Sequence, residues 1–422
     1  MYQNLGQGGA QDLSSGEYIV SLDIGTSKVR VIVAEVTREN TQIVGVGSAV
    51  SKGTKKGAII DIDQAVQSIR EAIDHAERMV GIDISNVFVG ISGHHVALQS
   101  SHGVVAVSGE NKEIGQEDID RVMQAARVVA LPPERAVVEV VPKQFVVDGL
   151  REIQDPHGMV GVRLEVEATI VTGAKTIIHN VLRCVEKADL SVAGIILLPL
   201  AAGEICLSTD ERNMGVVLAD IGGGTTSLAV YEQGHLSATS VLPIGGEYIT
   251  HDIAYGLRTQ TETAEKLKRK YGVALVEEAN EEITFEVQTI GSHREKTVSQ
   301  KELGMIIEPR VEEIFQLIRD EVESMGYVDE PAGGYVLTGG VMSIPHALGA
   351  ARNQLGQAVR MVSPRHIGVE DPSFTSGVGM IHYIRRRFLH RLPEGNGQQR
   401  SSNKKGGHST WMKLKNFFGE FI

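Results

Sequence analysis

The chain has 422 residues, 42% of them apolar and 22% charged, with a net charge of −12 at neutral pH. That length allows two domains or more, and the acidity argues against binding of nucleic acid by the whole protein. Two cysteines, Cys184 and Cys206, make no disulfide framework, so a reducing cytoplasm is expected, and no apolar run reaches the roughly 18 residues needed to span a bilayer.

Residues 1–16, rich in Gly, Gln and Ser, read as a disordered lead-in and not a signal peptide. An apolar strand from Tyr18 then reaches Asp23, a turn made of Gly25, Thr26, Ser27 and Lys28, and a second apolar strand to Val33. Thr41 to Ala49 is a third strand beside them. Asp61 to Met79 is a helix, because Ile62, Val66, Ile69, Ile73, Ala76 and Val80 recur at steps of three and four. His75 on that helix is expected at the surface. Asn86 to Glu167 reads as a compact α+β unit with strands at 87–92, 103–107, 135–147 and 162–172 and a helix near 116–129. Its His94-His95 pair has no Cys or carboxylate at ligand spacing, so no metal is expected there. A helix over 175–188 follows, then the apolar segment 191–200.

The stretch Leu218 to Leu228 repeats the first hairpin about two hundred residues later. Gly222, Gly223 and Gly224 cost backbone entropy and offer no packing, so they need a reason. Close approach of a ligand is one. Backbone N–H groups with the hydroxyls of Thr225 and Thr226 suit phosphate oxygens, and Asp220 suits a divalent metal held through water. A plain hairpin turn is the other reading. Two such hairpins suggest two similar halves clamping one nucleotide. A third turn, Thr338-Gly339-Gly340-Val341-Met342, fits a purine ring sliding over glycine backbone.

Between the second and third turns, Gly245-Gly246 leads into short helices at 247–255 and 261–271. Glu265 and Lys268 lie one turn apart on the latter, where a solvated charge pair is the plain reading. A strand is expected at 283–290, then an amphipathic helix over 301–324, in which Pro309 implies a kink or a break. A strand at 359–362 and a helix over 373–389 close the fold. Residues 393–407 are Gly, Gln, Ser, Asn and Lys, a flexible linker.

With its three glycine turns in this order, the chain resembles the ATPase superfamily of actin, Hsp70 and hexokinase. Asp23 to Lys28 is similar to the first phosphate motif, Asp220 to Thr226 to the second, and Thr338 to Met342 to the adenosine motif. The inserted unit after the first half and the tail described below narrow the resemblance to the FtsA family of bacterial cell-division proteins. The resemblance implies an α/β, actin-like ATPase fold: two ribonuclease-H-like half-domains around a nucleotide cleft, with an inserted α+β subdomain. It implies ATP and Mg2+ as ligands, with Asp23 and Asp220 near the metal, Gly246 near the phosphates, and Glu265 and Lys268 reaching ribose and adenine. Filament-forming relatives place an acid before the proline of the hinge helix. Here Leu198 precedes Pro199, and a leucine can neither take a proton nor orient water, so hydrolysis is expected to be weak or absent. The motif Ile307-Glu308-Pro309-Arg310 resembles the family's docking helix for the C-terminal tail of the tubulin-like protein FtsZ. Glu308 and Arg310 are the implied contacts, although Arg310 also reads as an ordinary exposed helix charge.

The last fourteen residues, 409–422, carry the chain's only Trp and three of its nine Phe. At about 100° per residue, Trp411, Leu414, Phe417, Phe418, Phe421 and Ile422 fall within an arc of roughly 140°. About 21 Å of helix cannot cross a bilayer of about 30 Å, so the segment is expected to lie in the interface. A helix docked on the protein body is the alternative. The resulting division is 1–16 lead-in; 17–85 and 169–200 half-domain I; 86–168 insert; 201–245 and 325–364 half-domain II; 246–324 its outer, partner-docking subdomain; 365–390 a helix closing half-domain I; 391–408 linker; and 409–422 membrane helix. By resemblance, such a protein polymerises at the cytoplasmic face of the membrane at the division septum, tethers FtsZ and recruits later division proteins. A soluble kinase or chaperone-type ATPase of the same superfamily is the competing reading. It leaves the tail without a use.

Overall fold

In a computed structural model, the structure describes residues 17–37, 40–109, 111–291, 295–327 and 331–389. The first hairpin, Glu17–Ile24 with Lys28–Val36, sits inside a five-stranded sheet. Thr41–Val50 extends it on the antiparallel side, and Asn86–Ile91 and Ser191–Leu197 extend it in parallel on the other. The second hairpin, Val216–Ile221 with Thr226–Glu232, heads a sheet of identical order. His235–Leu242 lies on its antiparallel side, and Tyr335–Thr338 and Val359–Met361 on its parallel side. The central strands are buried almost continuously, as strands in parallel pairs must be. One α/β half has been built twice.

Helices cover the sheets where the sequence periodicity places them. Ile62–Val80 is capped by Asp61, whose side chain accepts from the Gln64 amide at 3.0 Å, and is ended by Gly81 at φ 72°. Its Ala65, Ile69, Ala72 and Ala76 face lies directly on the first sheet. A Cβ at Gly47 would come within 1.9 Å of the Ala72 carbonyl, so this strand admits only glycine there. His75 is half-buried and not free at the surface. Its Nδ1 lies 2.8 Å from the Ser48 carbonyl.

The insert has its own antiparallel sheet, in the order Ala97–Ala106, Arg163–Ala174, Arg135–Val147, Leu150–Ile153. The helix Gln116–Arg127 covers it over a core of Ile114, Val122, Phe145, Leu164 and Val166. The expected limits of 86–168 need correction at both ends. Asn86–Ile91 belongs to the first sheet, because it pairs in parallel with both Glu17–Ile24 and Ser191–Leu197. Residue 168 falls inside Arg163–Ala174, which belongs entirely to the insert.

The outer part of the second half comprises Gly246–Leu257, Thr261–Tyr271, Gln300–Ser324 and a hairpin of Thr284–Gln288 with Glu295–Ser299. Gln300–Ser324 starts at a Ser299/Glu302 capping box and runs through Pro309 as one helix. The expected break does not occur. Leu303, Ile307, Val311, Ile314 and Ile318 are fully buried on one face and hold the helix down on both sides of the proline. The carbonyl that Pro309 deprives of a partner belongs to Met305, a residue on the exposed face.

Thr375–Leu389 returns to the first half and crosses the hinge helix Leu198–Cys206 so closely that a Cβ at Gly379 would meet the Ala201 carbonyl at 2.4 Å. A buried cluster pins the insert to this closing helix. Tyr383 donates to Glu139 Oε1 at 2.6 Å, and Arg387 pairs with Glu139 and donates to the Val140 carbonyl at 2.8 Å. The linker 391–408 and the tail with Trp411, Leu414, Phe417, Phe418, Phe421 and Ile422 lie outside the described residues.

Candidate functional site

The two glycine turns face one another across a cleft of about 460 Å³ between the halves. They are the same turn twice. The Gly25 amide donates to the Lys28 carbonyl at 3.1 Å, and the Gly222 amide to the Thr225 carbonyl at 2.9 Å. The reason for the glycines is partly other than expected. A Cβ at Gly223 would stand 1.9 Å from Ser27 Oγ, and one at Gly224 would stand 2.6 Å from Thr26 Cγ2. The second turn therefore leaves no room for side chains against Thr26 and Ser27 of the first. The amides of Thr26, Ser27, Gly223 and Gly224 find no acceptor among the described residues. Free turn amides of this kind make an anion-binding cradle.

Asp23 and Asp220 end the two central strands and both line the cleft. Burial pushes Asp23 up to about 6, with Arg30 opposing the rise and Asp220 adding to it. Burial also raises Asp220, against a hydrogen bond donated by Ser376 at 2.6 Å. Two carboxylates of raised proton affinity lining one cleft suit a hard cation. Among the described residues no group of three His, Cys, Asp or Glu side chains converges on a metal position. An ion here would take its other ligands from water and phosphate, which is how magnesium is ordinarily held. The donor set therefore fits Mg2+ with a bound phosphate chain.

Deeper in the outer subdomain, Glu265 and Lys268 both line the cleft and are bonded to each other at 2.6 Å. Lys268 Nζ donates to the Gly246 carbonyl at 2.8 Å, and Thr250 donates to Glu265 at 2.6 Å. Burial alone would raise Glu265, but the Lys268 charge and the hydrogen bonds from Lys268, Thr250 and Arg269 leave it below its ordinary value. The pair is thus a wall of the site and not a solvated surface pair. The Gly246 amide donates back to the Gly222 carbonyl at 2.9 Å, and Glu247 accepts from Ser27 Oγ at 2.8 Å. Gly340 and Val341 of the third glycine turn also line the cleft, Val341 close beside Gly246.

Of the expected residues, Gly25, Thr26, Ser27, Lys28, Gly222, Gly223, Thr225 and Gly246 line the cleft together with the groups above. Four do not. Thr226 is fully buried and donates to the Ile244 carbonyl at 2.9 Å. Gly224 backs onto Thr26, Gly339 at φ 94° backs onto Asp220 and Ile221, and Met342 is in the core. Each shapes the wall from behind. Sequence reading missed Arg30, Ser376 and Arg269. Arg30 stands directly across the hairpin from Asp23, so the strand register alone would have found it. Its Nε is buried with no hydrogen-bond partner among the described residues, and its guanidinium lies 5.3 Å from the Phe374 ring centre. Ser376 arrives from a helix 156 residues away and has no local signal. Leu198 lines the cleft and places its apolar side chain over Gly90. His95 also lines it. Burial, with His94 and Arg135 nearby, lowers it to about 4, and its Nδ1 accepts from the Ala174 amide at 3.3 Å, so it stands neutral in a structural role.

The two residues expected to dock a partner are already engaged within the chain. Arg310 makes a two-pronged pair with Asp252 at 2.6 and 3.1 Å and also pairs with Glu313. Glu308 accepts from the Val276 amide at 3.2 Å. Arg310 is therefore not the simple exposed helix charge that was one of its two readings.

Twin sheets of this order, with paired glycine turns at the mouth between them, define an actin-like ATPase fold. Solved structures that share it include the PilM-PilN type IV pilus biogenesis complex, at a TM-score of 0.59 and 18% identity over 88% of this chain and 98% of that one. MreB5 of Spiroplasma citri bound to ADP matches at a TM-score of 0.52 and 14% identity, again over 88% and 98%. Residues 217–379 match the family described as cell division protein FtsA, and residues 93–172 the SHS2 domain inserted in FtsA. That insert begins just after Asn86–Ile91, as the sheet pairing requires. The cell division protein FtsA of Bacillus subtilis is 52% identical over 374 residues, 89% of this chain and 85% of the relative. The chain belongs to the FtsA family of cell-division proteins.

Proposed function

We propose that the cleft binds ATP with Mg2+ and that the nucleotide holds the two halves in the arrangement that polymerises. The observation that carries this is the pair of identical turns with free amides, meeting over two carboxylates of raised proton affinity. The amides of Thr26, Ser27 and Gly223 would receive phosphate oxygens, with Lys28 adding charge. Asp23 and Asp220 would hold the ion through water. Mg2+ supplies neutralisation of phosphate charge when bound. Glu265, Lys268, Gly340 and Val341 would enclose the nucleoside. With Leu198 beside the phosphates, turnover is slow, and ATP acts by shifting the population of closed halves. Isothermal titration of Mg·ATP tests the site. Asp220→Ala should weaken binding at least tenfold in the presence of Mg2+ and much less in EDTA, and equal affinity for both proteins would refute the assignment.

The cellular role follows from family membership and the tail. The protein would polymerise on the cytoplasmic face of the membrane at the septum, hold FtsZ through its outer subdomain and recruit later division proteins. One interfacial helix binds weakly, whereas a filament presenting many binds by avidity. The Glu308–Arg310 turn would receive the FtsZ tail, with an acid of the tail sharing Arg310 with Asp252. Arg310→Glu would stack three acids together and disturb the helix, so Arg310→Ala is the cleaner probe. It should weaken an FtsZ tail peptide severalfold in a polarisation assay.

A further inference from the structure

Tyr248 is contacted by two cations that belong to different parts of the molecule. Lys56 Nζ lies 5.7 Å from its ring centre, and Arg310 Cζ lies 5.8 Å from it. Both distances are within the range at which a cation is attracted by an aromatic face. Lys56 sits on the small hairpin Thr54–Lys55 with Ala58–Ile59, which belongs to the first half. Lys56 and Gly57 form its two-residue loop, both left-handed at φ 49° and 75° as such a hairpin turn requires. The neighbouring Gly57 amide donates to Thr26 Oγ1 at 3.2 Å, so this hairpin rests on the first phosphate turn.

Tyr248 itself follows Glu247, which touches both turns. The Glu247 amide donates to the Gly223 carbonyl at 2.8 Å, and its carboxylate accepts from Ser27 Oγ. One turn further along the same helix, Asp252 grips Arg310. The helix Gly246–Leu257 thus has the phosphate turns at its first residues and the Gln300–Ser324 helix against its middle. Phosphate oxygens at the Ser27 turn compete with the Glu247 carboxylate for one hydroxyl, and they attract Lys56 away from the aromatic face. Either change alters the contacts of Tyr248.

We propose that Tyr248 is a positioning residue that couples occupancy of the phosphate turns to the helix carrying Glu308 and Arg310. The link would transmit nucleotide binding to the docking surface through these two cation–ring contacts and one short rigid helix. By linkage, a partner on that surface changes nucleotide affinity by the same factor. This rests on the nucleotide reading of the cleft given above.

The test uses the full chain, a non-hydrolysable ATP analogue with Mg2+, and amide hydrogen exchange of residues 300–324. Nucleotide affinity is measured separately by calorimetry. In the parent protein and in Tyr248→Phe, which keeps the ring, the analogue should change exchange at 304–314 by about two- to fivefold, the factor expected for an exposed cation–ring contact. Tyr248→Leu keeps the bulk and loses the aromatic face. It should bind the analogue with similar affinity and show little of the change. Lys56→Gln removes one cation of the same contact from an exposed loop; it should bind the analogue somewhat more weakly and, at saturating analogue, show as little of the change, which keeps the test decisive if Tyr248→Leu folds poorly. A full response in both the Leu and Gln variants, or a parent protein that binds the analogue with no change at 304–314, overturns the coupling. A parent protein that binds no analogue overturns the nucleotide reading, and the coupling with it.

Discussion

Asp23 shows what the site costs the fold. Its value of about 6 lies above the ordinary 3.8, so the native state keeps the proton to higher pH than the unfolded chain does. The stability this group contributes is full below about 3.8 and is lost as pH rises through about 6. At neutral pH its charge is a burden on the protein without a cation. Asp23→Asn should therefore raise the melting temperature at pH 7.5, worth roughly 1–3 kcal/mol, and flatten the pH dependence between about 4 and 6. The same variant should weaken Mg·ATP. A drop in melting temperature at pH 7.5 would show that Asp23 is structural and not poised for an ion. Leu198 belongs to the same scale. It leaves the cleft without an acid at the hinge, so steady-state turnover should fall far below the roughly 10 per second of ordinary enzymes. A phosphate-release assay at that level would refute the reading.

The turns and helices carry two further expectations. Gly223→Ala places a methyl group where Ser27 Oγ already stands, 1.9 Å away. The two turns must part, at a cost of about 1–3 kcal/mol for overpacking, and the anion cradle is lost with them. Nucleotide affinity should fall by at least tenfold in calorimetry, and retained affinity would mean that the turns are already free to separate. Pro309 sits inside an unbroken helix, held there by its buried neighbours. Pro309→Ala restores a backbone donor for the Met305 carbonyl and should stabilise the protein by about 1–3 kcal/mol in urea unfolding. No gain would place the cost of the proline elsewhere.

The whole molecule joins a cleft between its halves, an insert and a tail. The insert is locked to the closing helix by the buried Glu139, Tyr383 and Arg387 cluster. Under the proposed role, Trp411→Glu with Phe418→Glu should release the protein from anionic liposomes in a sedimentation assay, with Mg·ATP affinity unchanged. Continued sedimentation of that double variant would refute the tail as an anchor.

The two hairpins and most helices were legible in the chain because their signals are local. Asp61 caps its helix, apolar residues recur at 3.6 or 2, and Gly25 and Gly222 mark equivalent turns. Strand register even places Arg30 beside Asp23. The tertiary structure decided what depends on partners distant in sequence. A buried apolar run such as Asn86–Ile91 reads the same in the insert as in the first sheet, and only its parallel neighbours assign it. Ser376 reaches Asp220 because a helix far along the chain folds back. Thr226 and Met342 have the residue types of a ligand site yet turn inward, because side-chain direction follows from packing and not from motif. Arg310 reads as a free charge until Asp252, on another helix, is brought against it. Sequence alone determined which segments turn, pair and coil. The choice between ligand contact, core and ion pair for each side chain was made by the long-range contacts that bury it.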